Sequence, residues 1–106
     1  MATRSRSLPG SELASIFRAL ADPNRLAIFE LVRERGGEVQ TISDAENSVS
    51  KIAREFDLSL STVSHHLREL KNAGLIRCEK RGQSVYCTPE PEALRTIERF
   101  LGGVEQ

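Results

Sequence analysis

No run of apolar residues in this chain approaches the ~20 residues that a membrane-spanning helix needs, so no membrane association is expected. The opening stretch MATRSRSLPG holds no hydrophobic core of the signal-peptide kind, and a cytoplasmic location is expected. Cysteine is scarce: Cys78 and Cys87 are too few for a disulfide framework, and in a reducing compartment they stand as thiols. Histidine is confined to the neighbours His65 and His66. There is no Gly-rich phosphate loop, and no pair of carboxylates converges on the cysteines. An enzyme is therefore not expected, nor a bound cofactor. Net charge is absent too, with 15 basic against 15 acidic residues, which at first argues against a nucleic-acid partner.

The distribution of charge matters more than its sum. Residues 1–10 carry +2, residues 38–57 carry −3, residues 58–88 carry +3 and residues 89–106 carry −2. The positive charge gathers in the tail and in one central unit. With 39% hydrophobic and 28% charged residues in 106, the composition is that of one ordinary globular domain.

That central unit begins with LSLSTVSHHLRELKNAG, Leu58–Gly74. At about 100° per residue, Leu60, Val63, Leu67 and Leu70 fall on one stripe, as in a packed amphipathic helix. His65 then points directly away from the core. Ser61, Thr62, Arg68, Glu69 and Asn72 lie on the outer side, while Ser64 and His66 occupy the flanks. Ser59 is a good N-cap and Gly74 a natural left-handed terminator. Short hydroxyls, imidazoles and one guanidinium on an uncrowded face are the groups that reach phosphates and base edges.

Taken in order, residues 1–10 show no periodicity and read as a flexible basic tail. Ser11 starts a first helix with Leu13, Ile16, Phe17 and Leu20 at core spacing. Asp22-Pro23 caps a second helix, Pro23–Arg35, whose apolar positions are spread widely enough to be touched from more than one side. Gly36-Gly37 stops it. Glu38–Asn47 reads as an acidic loop with at most a short strand near Val39. Ser48 starts a third helix with Val49, Ile52, Ala53 and Phe56 inward, and Asp57-Leu58-Ser59 turns into the outward-facing helix just described. Two helices joined by so short a turn form a helix-turn-helix.

After Gly74 the pattern turns extended. Leu75–Glu79 and Ser84–Thr88 are β-prone runs joined by Lys80-Arg81-Gly82-Gln83, a hairpin whose basic tip can act as a wing against phosphates or the minor groove. A final helix begins near Pro91, with Leu94, Ile97 and Leu101 on a wide apolar face that Ala93, Phe100 and Val104 extend. One small winged domain does not need that helix for its own core, and an apolar helix at each end suits a two-fold interface. The expected fold is mainly α with a small β-hairpin: five helices and a two-stranded wing over residues 11–101, followed by a flexible end, 102–106.

With ALADPNRLAIFELV (Ala19–Val32), STVSHHLRELKNAGLI (Ser61–Ile76) and RCEKRGQSVYCT (Arg77–Thr88) in this order, the chain resembles the ArsR/SmtB family of winged-helix repressors. The resemblance implies a homodimer joined through the first and last helices, here Leu13, Ile16, Phe17, Leu94, Ile97 and Leu101. It implies a double-stranded operator, an imperfect palindrome, contacted by Ser61, Thr62, Ser64, His65, His66 and Arg68 and by Lys80, Arg81 and Gln83 on the wing. His66 lies nearer the core and is open to a second role, bracing the backbone. The family's metal sites have no counterpart here. The start of the third helix reads Val49-Ser50-Lys51-Ile52 without a thiol, and the last helix offers Glu90, Glu92 and Glu98 without a histidine. No metal is expected, and the effector that would release the operator stays open.

Cys78 and Cys87 lie opposite one another if the hairpin turns at Gly82-Gln83; a turn at Arg81-Gly82 would pair Cys78 with Val85. Opposed thiols on a wing are a candidate redox or metalloid switch. Two functions compete: a sequence-specific DNA-binding repressor, and a winged-helix protein-interaction module without DNA binding, favoured by the neutral charge and the acidic 38–57 segment.

Overall fold

A computed structural model describes residues 11–35, 48–82 and 84–105; the basic tail, the Gly36–Asn47 segment and Gln83 lie outside the described residues. Helix α1 (Ser11–Leu20) leads through a two-residue break into α2 (Pro23–Arg35). The break is built by Asp22, whose Oδ2 accepts from the Arg25 amide at 3.0 Å, with Pro23 in the first turn, where no N–H is needed. The Arg25 side chain then reaches back, its Nε donating to the Ala19 carbonyl at 2.7 Å, so one residue stitches the end of α1 to the start of α2. The broad apolar surface of α2 is used as its width implied. Ile28, Phe29 and Val32 are buried, and the helix packs on α1, on the helix-turn-helix and on the hairpin.

Helix α3 (Val49–Phe56) is capped by Ser48, whose hydroxyl accepts from the Lys51 amide at 3.2 Å. It ends on Asp57, in the left-handed conformation at φ 56°, where a short polar side chain is among the few tolerated. The reversal lets the Leu58 amide reach the Ala53 carbonyl at 3.0 Å and sets the exit direction. Helix α4 (Leu60–Asn72) follows, with Ser59 as its cap. At its far end Gly74, φ 79°, allows the Leu75 amide to bond the Leu70 carbonyl at 3.0 Å.

Strands β1 (Ile76–Arg81) and β2 (Ser84–Pro89) pair antiparallel with Arg81 opposite Ser84, the register that sets Cys78 opposite Cys87. Gly82, at φ 60°, supplies the backbone angle a tight hairpin turn requires. Ser48 forms a single bridge to Tyr86, so the chain entering α3 lies along the outer strand of the hairpin. Periodicity gave no hint of this contact, since it involves one residue. Helix α5 (Pro91–Glu105) continues past the expected boundary at Leu101, along the apolar repeat that reaches Val104.

The core lies between α2, α3, α4 and the base of the hairpin. Ile28, Val32, Ile52, Val63, Leu70 and Leu75 are inaccessible to solvent, and Ile76 and Cys87 close it from the hairpin side. Leu60 differs from expectation. It is 55% exposed at the first position of α4, where it borders a shallow surface cavity with Ser50, Ala53 and Arg54 of α3, while Val63, Leu67 and Leu70 are buried.

Candidate nucleic-acid interface

The outer face of α4 is defined by what the inner face holds. Val63, Leu67 and Leu70 are locked in the core, which fixes the rotation of the helix about its axis. Ser61, Ser64, His65, Arg68 and Asn72 are left exposed. Their spacing, i, i+3, i+4, i+7 and i+11, is a continuous stripe along the helix. At its N-terminal end the Ser59 hydroxyl accepts from the Thr62 amide at 3.1 Å and lies 2.8 Å from the Thr62 hydroxyl and 3.2 Å from that of Ser61. Thr62 is half-buried, so its hydroxyl belongs more to the cap than to the open face.

His66 is buried, with 8% of its surface exposed and its Nδ1 without a hydrogen-bond partner. The expectation that it faces DNA is corrected. One residue from Leu67 and three from Val63, it falls on the inward flank of the helix. The adjacent His65 ring lies 5.7 Å away, inclined by 52°, and is exposed. The inward imidazole faces the α1–α2 break. The Asp22 carboxyl there is held below its ordinary range, first by the hydrogen bond from the Arg25 amide, with smaller contributions from the Arg25 and His66 charges.

On the hairpin, Lys80 and Arg81 are exposed, and Gln83 lies outside the described residues. The two cations occupy opposite faces of β1, as neighbours in a strand must. Arg81 shares its face with Glu79, 3.2 Å from its guanidinium, and stacks 5.5 Å above the Tyr86 ring. Its charge is thus partly engaged within the hairpin. Lys80 shares the inner face with Cys78 and Val85. Arg77 and Lys71, both exposed, complete the basic surface; only their part in the charge balance was legible from sequence.

The residues expected at a two-fold interface divide. Ile16 is only 1% exposed and belongs to the core of its own chain, a correction that follows from α1 packing against both α2 and α4. Leu13, Leu94 and Ile97 are half-buried. Phe17 at 42% and Leu101 at 55% are exposed, together with Phe100 at 46%, and the two phenylalanine rings meet edge to face at 5.8 Å. Phe100 therefore belongs with this surface.

A helix-turn-helix held by a three-residue buried stripe and followed at once by a basic-tipped hairpin defines a winged helix-turn-helix protein. Residues 20–79, more than half of the chain, match the family model described as a helix-turn-helix domain. The transcriptional repressor SdpR of Bacillus subtilis is 33% identical over 72 residues, covering 68% of this chain and 69% of its own. The arsenic resistance transcriptional regulator ArsR1 of Pseudomonas putida is 29% identical over 105 residues, covering 93% and 75% respectively. The crystal structure of an ArsR family transcriptional regulator, RHA00566, superposes with a TM-score of 0.72 at 31% identity, over 93% of this chain and 91% of that one. The chain belongs to the ArsR/SmtB family of winged-helix transcriptional regulators. Among the described residues no helix is long and apolar enough to cross a membrane.

Proposed function

We propose that the chain acts as a homodimeric repressor that binds an imperfectly palindromic operator through α4 and the hairpin. The observation that carries this reading is the exposed stripe Ser61, Ser64, His65, Arg68 and Asn72 on a helix whose rotation is set by buried leucines and a valine. Arg68, Lys80 and Arg81 engage phosphates and fix position; Ser61, Ser64 and His65 read base edges in the major groove. Leu60, exposed at the start of the same helix, offers an apolar contact of the kind a thymine methyl accepts. His66 acts from beneath, as a packing residue that orients His65. The name of SdpR, a repressor, supports the direction of regulation.

Two-fold assembly is supported by Phe17, Phe100 and Leu101, three large apolar side chains exposed on adjoining helix ends. Reading palindromic half-sites requires a dimer that holds its two α4 helices about one DNA turn apart, ~34 Å. The site test begins with selection of bound fragments from a random DNA pool. His65→Ala should then weaken binding to the selected sequence by about 1–3 kcal/mol and relax the preference at one position in each half-site. Unchanged discrimination against scrambled DNA in the folded variant removes His65 from the reading role. The neutral net charge favours a second reading, a protein-interaction module. A salt titration separates the two, because phosphate engagement makes affinity fall steeply as salt rises.

A further inference from the structure

We propose that Cys78 and Cys87 are a reactive and a resolving thiol that a hydroperoxide closes into a disulfide within the hairpin, re-aiming its basic tip. The two sulfurs lie 3.2 Å apart on directly opposed residues. The Glu90 amide bonds the carbonyl of Leu75, the residue opposite it, at 2.9 Å, and bonded and open pairs alternate along the ladder from there. Three steps on, Cys78 and Cys87 occupy an open position, where Cα atoms approach to about 4.5 Å, within the range a disulfide spans. Both thiols are free.

The two are unlike. Cys87 is fully buried on a strand that packs against α2 and α3. Cys78 is half-buried and lines a cavity of about 200 Å³ between the hairpin and α4, with Val49, Ser64, Arg68, Lys71 and Val85 among its walls. That volume is below the ~300 Å³ at which pockets for drug-sized ligands begin, and it admits a small hydroperoxide. The hydrogen bond that the Cys87 thiol donates lowers Cys78 to about 7, and the Lys71 ammonium adds to this, so a large fraction is thiolate near neutral pH. The same hydrogen bond, then burial, pushes Cys87 upward and keeps it protonated.

The chemistry runs in two steps. The Cys78 thiolate attacks one peroxide oxygen; an S–O bond forms, the O–O bond breaks, and the departing oxygen takes a proton and leaves as alcohol or water. Sulfur is oxidised by two electrons and the peroxide reduced by two. The resulting sulfenic acid no longer carries the negative charge that held the Cys87 proton in place. Cys87 then attacks it, the S–S bond forms, and hydroxide departs with the Cys87 proton as water. Closing 3.2 Å to the ~2.05 Å of a disulfide draws the sulfurs together by about 1 Å. With Cys87 anchored in the core, the strand that moves is β1, which carries Lys80 and Arg81.

The test uses the full chain, reduced, exposed to hydrogen peroxide and then alkylated without reductant. The expected product is a monomeric chain lighter by two hydrogens. Trypsin should release it as Cys78-Glu79-Lys80 joined to Gly82–Arg95, and a thiol reductant should reverse it. Cys78→Ser should abolish the product and leave Cys87 unmodified. Because Cys78 is not part of the closed core, that variant is expected to fold. Free thiols after treatment, a disulfide between chains, or over-oxidation of Cys78 without a crosslink would each overturn the proposal. The effect on DNA rests on the repressor reading and has its own readout. Against the selected operator, the oxidised form should bind more weakly, its salt slope reduced by about 1–2 through loss of wing contacts, while Cys78→Ser ignores peroxide. A crosslinked form that binds as the reduced form does refutes the coupling. A reduced chain that binds no DNA refutes the repressor reading and leaves the mass result standing.

Discussion

Replacing Phe100 by alanine tests the two-fold assembly with a magnitude the structure supplies. The side chain is 46% exposed in the single chain. For a phenylalanine that presents ~200 Å², this leaves roughly 90 Å² for a partner to cover. At ~25 cal/mol per Å², covering it stabilises the dimer by about 2 kcal/mol per protomer. A two-fold axis doubles every contact, and alanine keeps part of the area, so the variant should lose about 3–4 kcal/mol of association. The dissociation constant should rise by roughly 10²–10³. The edge-to-face pairing with Phe17 at 5.8 Å is lost in monomer and dimer alike. It lowers thermal stability by about 1 kcal/mol without changing the association constant. Sedimentation equilibrium across a concentration series reads the first effect and thermal unfolding the second. A folded Phe100→Ala protein that dimerises as tightly as the parent would refute this use of the α1–α5 surface.

Ser59→Ala removes the acceptor for the Thr62 amide and should destabilise the domain by about 1 kcal/mol, seen in urea unfolding, with fraying confined to the first turn of α4. Gly74→Ala meets no atom within 4 Å, yet its φ of 79° is unfavourable for any side chain, so a loss of about 1–2 kcal/mol without a change in packing is expected from the same assay. Asp22 titrates below its ordinary range in the folded state, so its contribution is complete above the unfolded carboxylate range and lost as pH falls through the folded value. Asp22→Asn keeps the cap but should flatten that acid dependence. An unchanged acid limb in the asparagine variant would show that another carboxylate governs it.

Much of the fold was legible in residue pattern because its elements are specified locally. Asp22-Pro23, Ser48 and Ser59 are caps whose bonding partners lie within three residues, and Gly74 and Gly82 answer to backbone angles that few other residues accept. The outward aim of His65 follows from the same helical repeat that buries Val63, Leu67 and Leu70. Asp57 was less legible: a left-handed aspartate carries a weaker signal than glycine at a helix end. Leu60 and Ile16 were misplaced because periodicity gives a direction around one helix but not how far its neighbours extend along it.

The order of residues alone determined which helices form, where all but the last of them stop, which side of α4 is apolar and which family the chain resembles. The arrangement in space decided the rest. It put His66 under the helix instead of on it, assigned Ile16 to the core and Phe100 to the surface, and chose between two hairpin registers that the turn residues left open. The physical reason is range. Caps, turns and amphipathic stripes act within one or two helical turns of chain, whereas burial depends on what packs from elsewhere, and the 3.2 Å between two sulfurs depends on every pair in the ladder beneath them.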